Sequence, residues 1–392
     1  MISASHNPYY DNGIKLINGN GSCTLTISNH YNFIREIDYM KKAIITCSNS
    51  TIELYEFVEA FYLVSQKANT ALELLRQGLP TWVSPEKYDE MKISLWVYND
   101  TRANALCHYE NGENYIALFV GLLTAFWNKV EDFVSQDNLT SVFKISEENR
   151  PTFMDNIYFY MLNFTIAHEY GHIAHGHLRE QKGEKSIDET FRMSDVDNDK
   201  DRKAKNWTTQ LKEYDADSFA VTIQAVLFLQ QWQEDIRVNL ANFDKMFIAN
   251  YLCFRTFAEK TGRKFADYFD KSIDEYDHPH PGIRMYYSYI HYSYWIGRFR
   301  DFGEDTMTIP GSDSDAVISY EKNVLGKEKI KECYYSVAFT EKGAQHVMNL
   351  HNGWQEKIEH FNEYAYMEIE KTDTIDSMPV SLDKNGNFVN KN

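Results

Sequence analysis

The stretch His168-Glu169-Tyr170-Gly171-His172 lies inside a helical pattern from Thr152 to His177, with apolar or metal-competent residues at 157, 161, 164, 168, 172 and 175. Recurrence at i, i+3 and i+4 marks one face of a helix. H-E-x-x-H on such a face sets two imidazoles one turn apart, with Glu169 beside the open position of a metal, which suits a catalytic zinc. A polar, solvated helix end is the plain alternative. It fits poorly, because Phe159, Tyr160, Met161, Leu162, Phe164 and Ile166 precede the motif, and two histidines on a buried face require a reason.

A catalytic zinc takes three protein ligands and keeps a fourth position for water, so a third ligand belongs downstream. The metzincin pattern asks for Gly and His where this chain has His175 and Leu178, and is excluded. Glu213-Tyr214-Asp215-Ala216-Asp217 opens a later amphipathic pattern with the gluzincin spacing E-x-x-x-D. Glu213 is then the third ligand. Asp217, one turn further on the same face, can accept the N–H of a ligating histidine, fixing its tautomer and raising its basicity. Alone, E-x-x-x-D describes many solvated helix faces; after an H-E-x-x-H helix, and leading into Phe219-Ala220-Val221, it is specific.

These residues resemble the gluzincin peptidases of the HtpX-like and CAAX-protease type. Asn104-Ala105, followed by a hairpin and Ile116 to Leu123, is similar to the family segment in which an edge strand precedes the active-site helix. His177 stands where many members carry a histidine, and His278-Pro279-His280-Pro281-Gly282-Ile283-Arg284 resembles the family signature H-P-x-P-x-x-R. The likeness extends over residues 92 to 290. It implies an α+β, mainly α-helical fold: a gluzincin-type metallopeptidase core with a small sheet and an active-site edge strand.

It also implies a zinc cofactor and Glu169 as the base that activates water. The developing oxyanion then needs a donor besides the metal, and His278, His280, Arg284 and Tyr276 are the candidates, His278 foremost. A protein or peptide substrate is expected to lie extended along the edge strand near Asn104 to His108. Many relatives are membrane-embedded. Soluble gluzincins of the phage-exclusion Lit type are the nearer comparison, through the zinc motif, and suggest a place in phage defence or a stress response.

The rest of the chain sets bounds. With 392 residues, a formal charge of −17 and no sustained basic run, neither nucleic acid nor an anionic membrane is an expected partner. Five scattered cysteines without a C-x-x-C pair fit a reducing compartment. The longest apolar run, Ile116 to Trp127, falls short of the ~20 residues that span a bilayer, and no signal pattern opens the chain, so a cytoplasmic protein is expected.

Ser22 to Ser28 and Lys92 to Tyr98 read as strands, and Tyr31 to Ile45 and Ile52 to Gly78 as helices. Ala103 to His108 and Tyr115 to Phe119 flank the hairpin signal Asn111-Gly112, and a helix is expected from Val120. Arg179 to Lys205 reads as a charged surface loop, while Trp207 to Trp232 and Met285 to Phe299 are helical. The expected organisation is an N-terminal segment 1–21, a metallopeptidase domain 22–302 and a C-terminal extension 303–392.

Residues 1 to 21 resemble the serine loop of bacterial phosphoglucosamine mutases, with Ser5 of Ser3-Ala4-Ser5-His6-Asn7-Pro8 as the phosphorylated residue. A mutase also needs a D-G-D-x-D-R metal loop. Asp197-Asn198-Asp199-Lys200-Asp201-Arg202 lacks its glycine, and no sugar-binding G-E-x-S-G-H loop is present, so the segment reads as a borrowed stub. A calcium loop over Asp195 to Asp201 fails in the same way, with Lys200 at the glycine position. Two rival functions follow: a non-proteolytic, zinc-containing regulatory or toxin-like binding protein, and a phosphosugar-binding mutase remnant.

Overall fold

The computed structural model describes residues 85–98, 102–110, 113–135, 146–180, 186–188, 199–230, 236–260, 273–299, 335–372 and 374, residues 317 and 321, and strand backbone at 2–4, 14–17, 23–27, 44–47, 50–53, 380–382 and 388–390. The chain divides into two compact units, Met1–Ala125 with Gln181–Glu189, and Phe126–Glu180 with Thr190–Asn392. Most of the described chain is helical, in keeping with a mainly α, α+β fold.

The first unit holds a sheet. Its members are β1 (Ile2–Ala4), β2 (Ile14–Ile17) and β3 (Cys23–Ile27), then, beyond a separate hairpin of β4 (Ile44–Cys47) and β5 (Ser50–Glu53) and a short helix α1 (Pro85–Met91), β6 (Ile93–Tyr98), β7 (Ala105–Glu110) and β8 (Glu113–Phe119), with β9 (Ser186–Asp188) arriving later. The order is β3-β2-β1-β6-β8-β7-β9, with β6 and β8 parallel and the remaining pairs antiparallel. In the β7–β8 hairpin Glu110 faces Glu113, leaving the two-residue Asn-Gly connection that the sequence anticipates. Ile116, Ala117, Leu118 and Phe119 are all buried, as expected of a strand covered on both faces.

Two expectations are corrected in this unit. The facing ends of the helices expected at Tyr31 to Ile45 and Ile52 to Gly78 form the β4–β5 hairpin, because Ile44, Ile45, Thr46, Thr51 and Ile52 are β-branched and fit a pleated surface; the rest of both ranges lies outside the described residues. The edge that was to receive substrate is also filled. β9, from the charged segment expected to be a loop, pairs with Leu106, Cys107 and His108, satisfying the main-chain groups an edge strand leaves open. The mutase-like segment contributes β1 and β2, whereas Ser5 to Pro8 and the calcium-like run from Asp195 to Asn198 lie outside the described residues.

Helix α2 (Val120–Val134) begins where expected. In the second unit α3 (Arg150–Ala174) has Pro151 as its second residue, whose fixed φ suits a first turn, and carries H-E-x-x-H near its end. Every residue from Met161 to Ala174 is buried, so this half of the helix is enclosed on all sides. It stops at Gly176, in the left-handed region at φ +73°, where any Cβ would stand 2.2 Å from the Tyr364 carbonyl oxygen. A short helix α4 (His177–Glu180) follows.

Helix α5 (Asp199–Gln230) starts two turns earlier than the sequence pattern indicated, since Asp, Lys and Arg are acceptable helix residues even where no apolar stripe marks them. It packs against α3, as does α6 (Ile236–Lys260), a helix absent from the sequence expectations. Helices α7 (Pro281–Phe299) and α8 (Glu341–Asn362) also lie against α5. Thr340 caps α8 by accepting the Gly343 N–H at 3.1 Å, and Val347, Leu350, Trp354, Ile358 and Phe361 give it a buried stripe inside the region expected to be an extension. The small strands β10 (Val380–Leu382) and β11 (Phe388–Asn390) pair near the end of the chain.

Candidate metal centre

Where α3 and α5 cross, their backbones come unusually close. A Cβ on Gly171 would stand 3.2 Å from the Ala216 Cα and 3.1 Å from the Phe219 Cβ, so the small residues inside both motifs set the helix separation. That approach carries Glu213 to the histidine pair. His168 Nε2 lies 3.4 Å from Glu213 Oε2, His172 Nε2 lies 3.4 Å from Glu213 Oε1, and the two Nε2 atoms are 3.0 Å apart. All three side chains are 1% exposed.

The donor set fits a zinc ion. Bonds of about 2.0–2.1 Å in a tetrahedral site place neighbouring donors about 3.3–3.4 Å apart. The three donor atoms here lie within 4.8 Å of one another, each imidazole Nε2 standing 3.4 Å from a different Glu213 oxygen and the two Nε2 atoms 3.0 Å apart. Glu213 Oε2 is buried and accepts no hydrogen bond, while nitrogens of His168, His278 and Arg284 stand 3.4, 3.5 and 3.6 Å from it. Burial disfavours its charge, yet His278, His172 and His168 outweigh that and hold the carboxyl well below the usual range, so it stands as a carboxylate. Among the described residues no other such group of three metal-competent side chains converges.

Each histidine is gripped from behind. His168 Nδ1 lies 2.7 Å from Asp217 Oδ1, as the E-x-x-x-D spacing anticipates. Asp217 is itself held: Arg284 donates from Nε and from an Nη, each at 2.8 Å, in a two-pronged pair, and the Tyr287 hydroxyl donates to Oδ2. Burial opposes the charge of Asp217, but the Arg284 guanidinium and His168 prevail and keep its carboxyl below the ordinary carboxylate range. The Arg284 guanidinium also covers the Phe254 ring at 4.8 Å. The arginine of the H-P-x-P-x-x-R stretch therefore serves Asp217.

His172 Nδ1 lies 2.8 Å from His177 Nδ1, and the far side of His177 faces Asp215. His177 and Asp215 carry no role in the sequence reading, although the E-Y-D-A-D spacing was a signal available for the latter. Glu169, 1% exposed, follows His168 on the same helix and is not among the three converging donors. His278 is 4% exposed, with Nε2 3.5 Å from Glu213 Oε2 and Nδ1 2.9 Å from Asp277 Oδ1. His280 serves differently: its Nδ1 accepts the Gly282 N–H at 3.1 Å, capping the first turn of α7. Tyr276 is buried, and its carbonyl accepts from Gln210 Nε2 at 2.7 Å.

Comparison with family models, with curated proteins and with solved structures gives no match. Among the described residues no helix is long and apolar enough to cross a membrane.

Proposed function

We propose that this chain is a zinc-dependent endopeptidase that hydrolyses peptide bonds of a protein substrate. The observation that supports it best is a buried cluster of His168, His172 and Glu213, the one group of three converging donors among the described residues, with Glu169 one residue from the first ligand. Three protein donors leave a coordination position open, which is how catalytic sites differ from closed structural ones. A zinc ion held there supplies Lewis acidity, polarising the scissile carbonyl and lowering the pKa of water toward neutrality.

The chain's own groups do the rest. The Glu169 carboxylate takes a proton from the attacking water and passes it to the leaving amine. Asp217 and Arg284 orient His168, and the shared burial of these groups keeps bulk water from the ligands. His278, beside Glu213 and steadied through Nδ1 by Asp277, is a hydrogen-bond donor at Nε2 when its ring carries both protons, and so suits the developing oxyanion.

His278→Ala is expected to lower kcat by about 10²-fold with KM nearly unchanged, as for an interaction made in the transition state. Zinc content should stay at the wild-type level, because His278 is outside the ligand set; loss of metal would make His278 a support of the site instead. The function itself is tested by mapping new protein N-termini in cells expressing the wild type beside Glu169→Gln. Cleavages present only with the wild type are expected, and identical N-termini would favour the non-proteolytic binding protein.

A further inference from the structure

Behind His172 lies a set of buried polar groups that metal coordination alone does not require. His172 turns Nε2 toward His168 and Glu213, so as a metal ligand through that atom it carries its ring proton on Nδ1. His177 Nδ1, 2.8 Å away, must then be the acceptor. A neutral imidazole that accepts at Nδ1 carries its single proton on Nε2. Nε2 stands 3.1 Å from Asp215 Oδ2, at hydrogen-bond distance though off the ideal N–H axis.

Asp215 is fixed in turn. Its Oδ2 meets His175 Nδ1 at 2.5 Å, and its Oδ1 accepts the Trp354 Nε1–H at 2.7 Å from α8. One order of protons suits the series: His172 Nδ1–H to His177 Nδ1, with His177 Nε2–H left facing Asp215 Oδ2 at 3.1 Å. A reversed order would leave His172 Nε2 protonated and unable to ligate.

We propose that His177 and Asp215, anchored by Trp354 of α8, form a positioning relay that sets the proton on His172 Nδ1 and so fixes its Nε2 as a metal donor. The inference rests on the metal-centre reading above. It makes a helix far along the chain a determinant of metal affinity, through Trp354 and also through Phe361, whose ring lies 5.2 Å from that of His177.

Glutamine distinguishes a relay from mere filling of space, since its amide can accept from His172 and donate to Asp215, as neutral His177 does, whereas leucine can do neither. Zinc affinity is measured on the full chain by competition with a chromophoric chelator, beside the thermal midpoint of the metal-free protein. His177→Leu is expected to weaken zinc about 10- to 100-fold, and His177→Gln to stay within about threefold of wild type. Trp354→Phe, which keeps a ring and removes the donor, should fall between them without a matching loss in the metal-free midpoint.

Wild-type affinity in His177→Leu, or equal weakening in the leucine and glutamine variants, would overturn the relay while leaving the metal centre standing. No zinc binding by the wild type would overturn both. Should His177→Leu not fold, the glutamine variant decides, and a tenfold weakening at an unchanged metal-free midpoint would contradict the proposal.

Discussion

Glu169→Gln is expected to keep its zinc and to lose about 10³- to 10⁴-fold in kcat on an unfolded, dye-labelled protein substrate. The substitution preserves the shape of the side chain and removes its ability to take a proton. Metal should remain because the ligand cluster consists of His168, His172 and Glu213, each on α3 or α5 and each buried, with Glu169 outside it. The fall should appear equally in kcat and kcat/KM, since proton transfer matters only in the transition state. Undiminished turnover in Glu169→Gln would remove Glu169 as the base. Loss of metal along with turnover would mean that Glu169 supports the site and is not merely poised beside it.

The largest effect on stability is expected from Arg284→Met. Arg284 gives Asp217 both prongs of its guanidinium, and the carboxylate they satisfy has no exposed surface. Breaking a buried pair on one side leaves an uncompensated charge and costs about 3–5 kcal/mol. Urea unfolding followed by tryptophan fluorescence reads that cost directly. Adding Asp217→Asn removes the stranded charge, so the double variant should recover a good part of the stability that Arg284→Met loses. A loss below about 1 kcal/mol in Arg284→Met would show that the pair is not the buried support described here.

The contrast between what the chain reveals in sequence and what it hides has a physical basis. His168, His172, Glu213 and Asp217 could be read because each pair sits one turn apart on a single helix, and helix geometry converts spacing into direction without knowledge of the fold. The meeting of the two helices was less open to view, since the Gly171 and Ala216 contact that sets their distance is a tertiary fact. Trp354 and Asp215 could not be paired from sequence at all, because nothing local links α8 to α5.

The pattern of helix α8 is masked in the sequence for a related reason. Its apolar stripe is interrupted by His346, His351 and Gln355, which are buried and hydrogen-bonded: His346 to Gln210, His351 to Tyr214 and Gln355 to Thr372. Polar residues satisfied by distant partners dilute the periodicity on which a helix assignment depends. The error over the edge strand has the opposite origin. Ser186-Ile187-Asp188 lies in a strongly charged stretch, and its pairing with β7 comes from main-chain groups that side-chain patterns do not report.

The central claim is that α3 and α5 together hold one catalytic metal ion. Metal content measured by inductively coupled plasma mass spectrometry on purified wild type, beside His168→Ala/His172→Ala, tests it most directly. About one zinc per chain in the wild type and none in the double variant is the predicted result. Metal-free wild type under zinc-replete conditions, or a double variant that retains its full complement of zinc, would contradict the account.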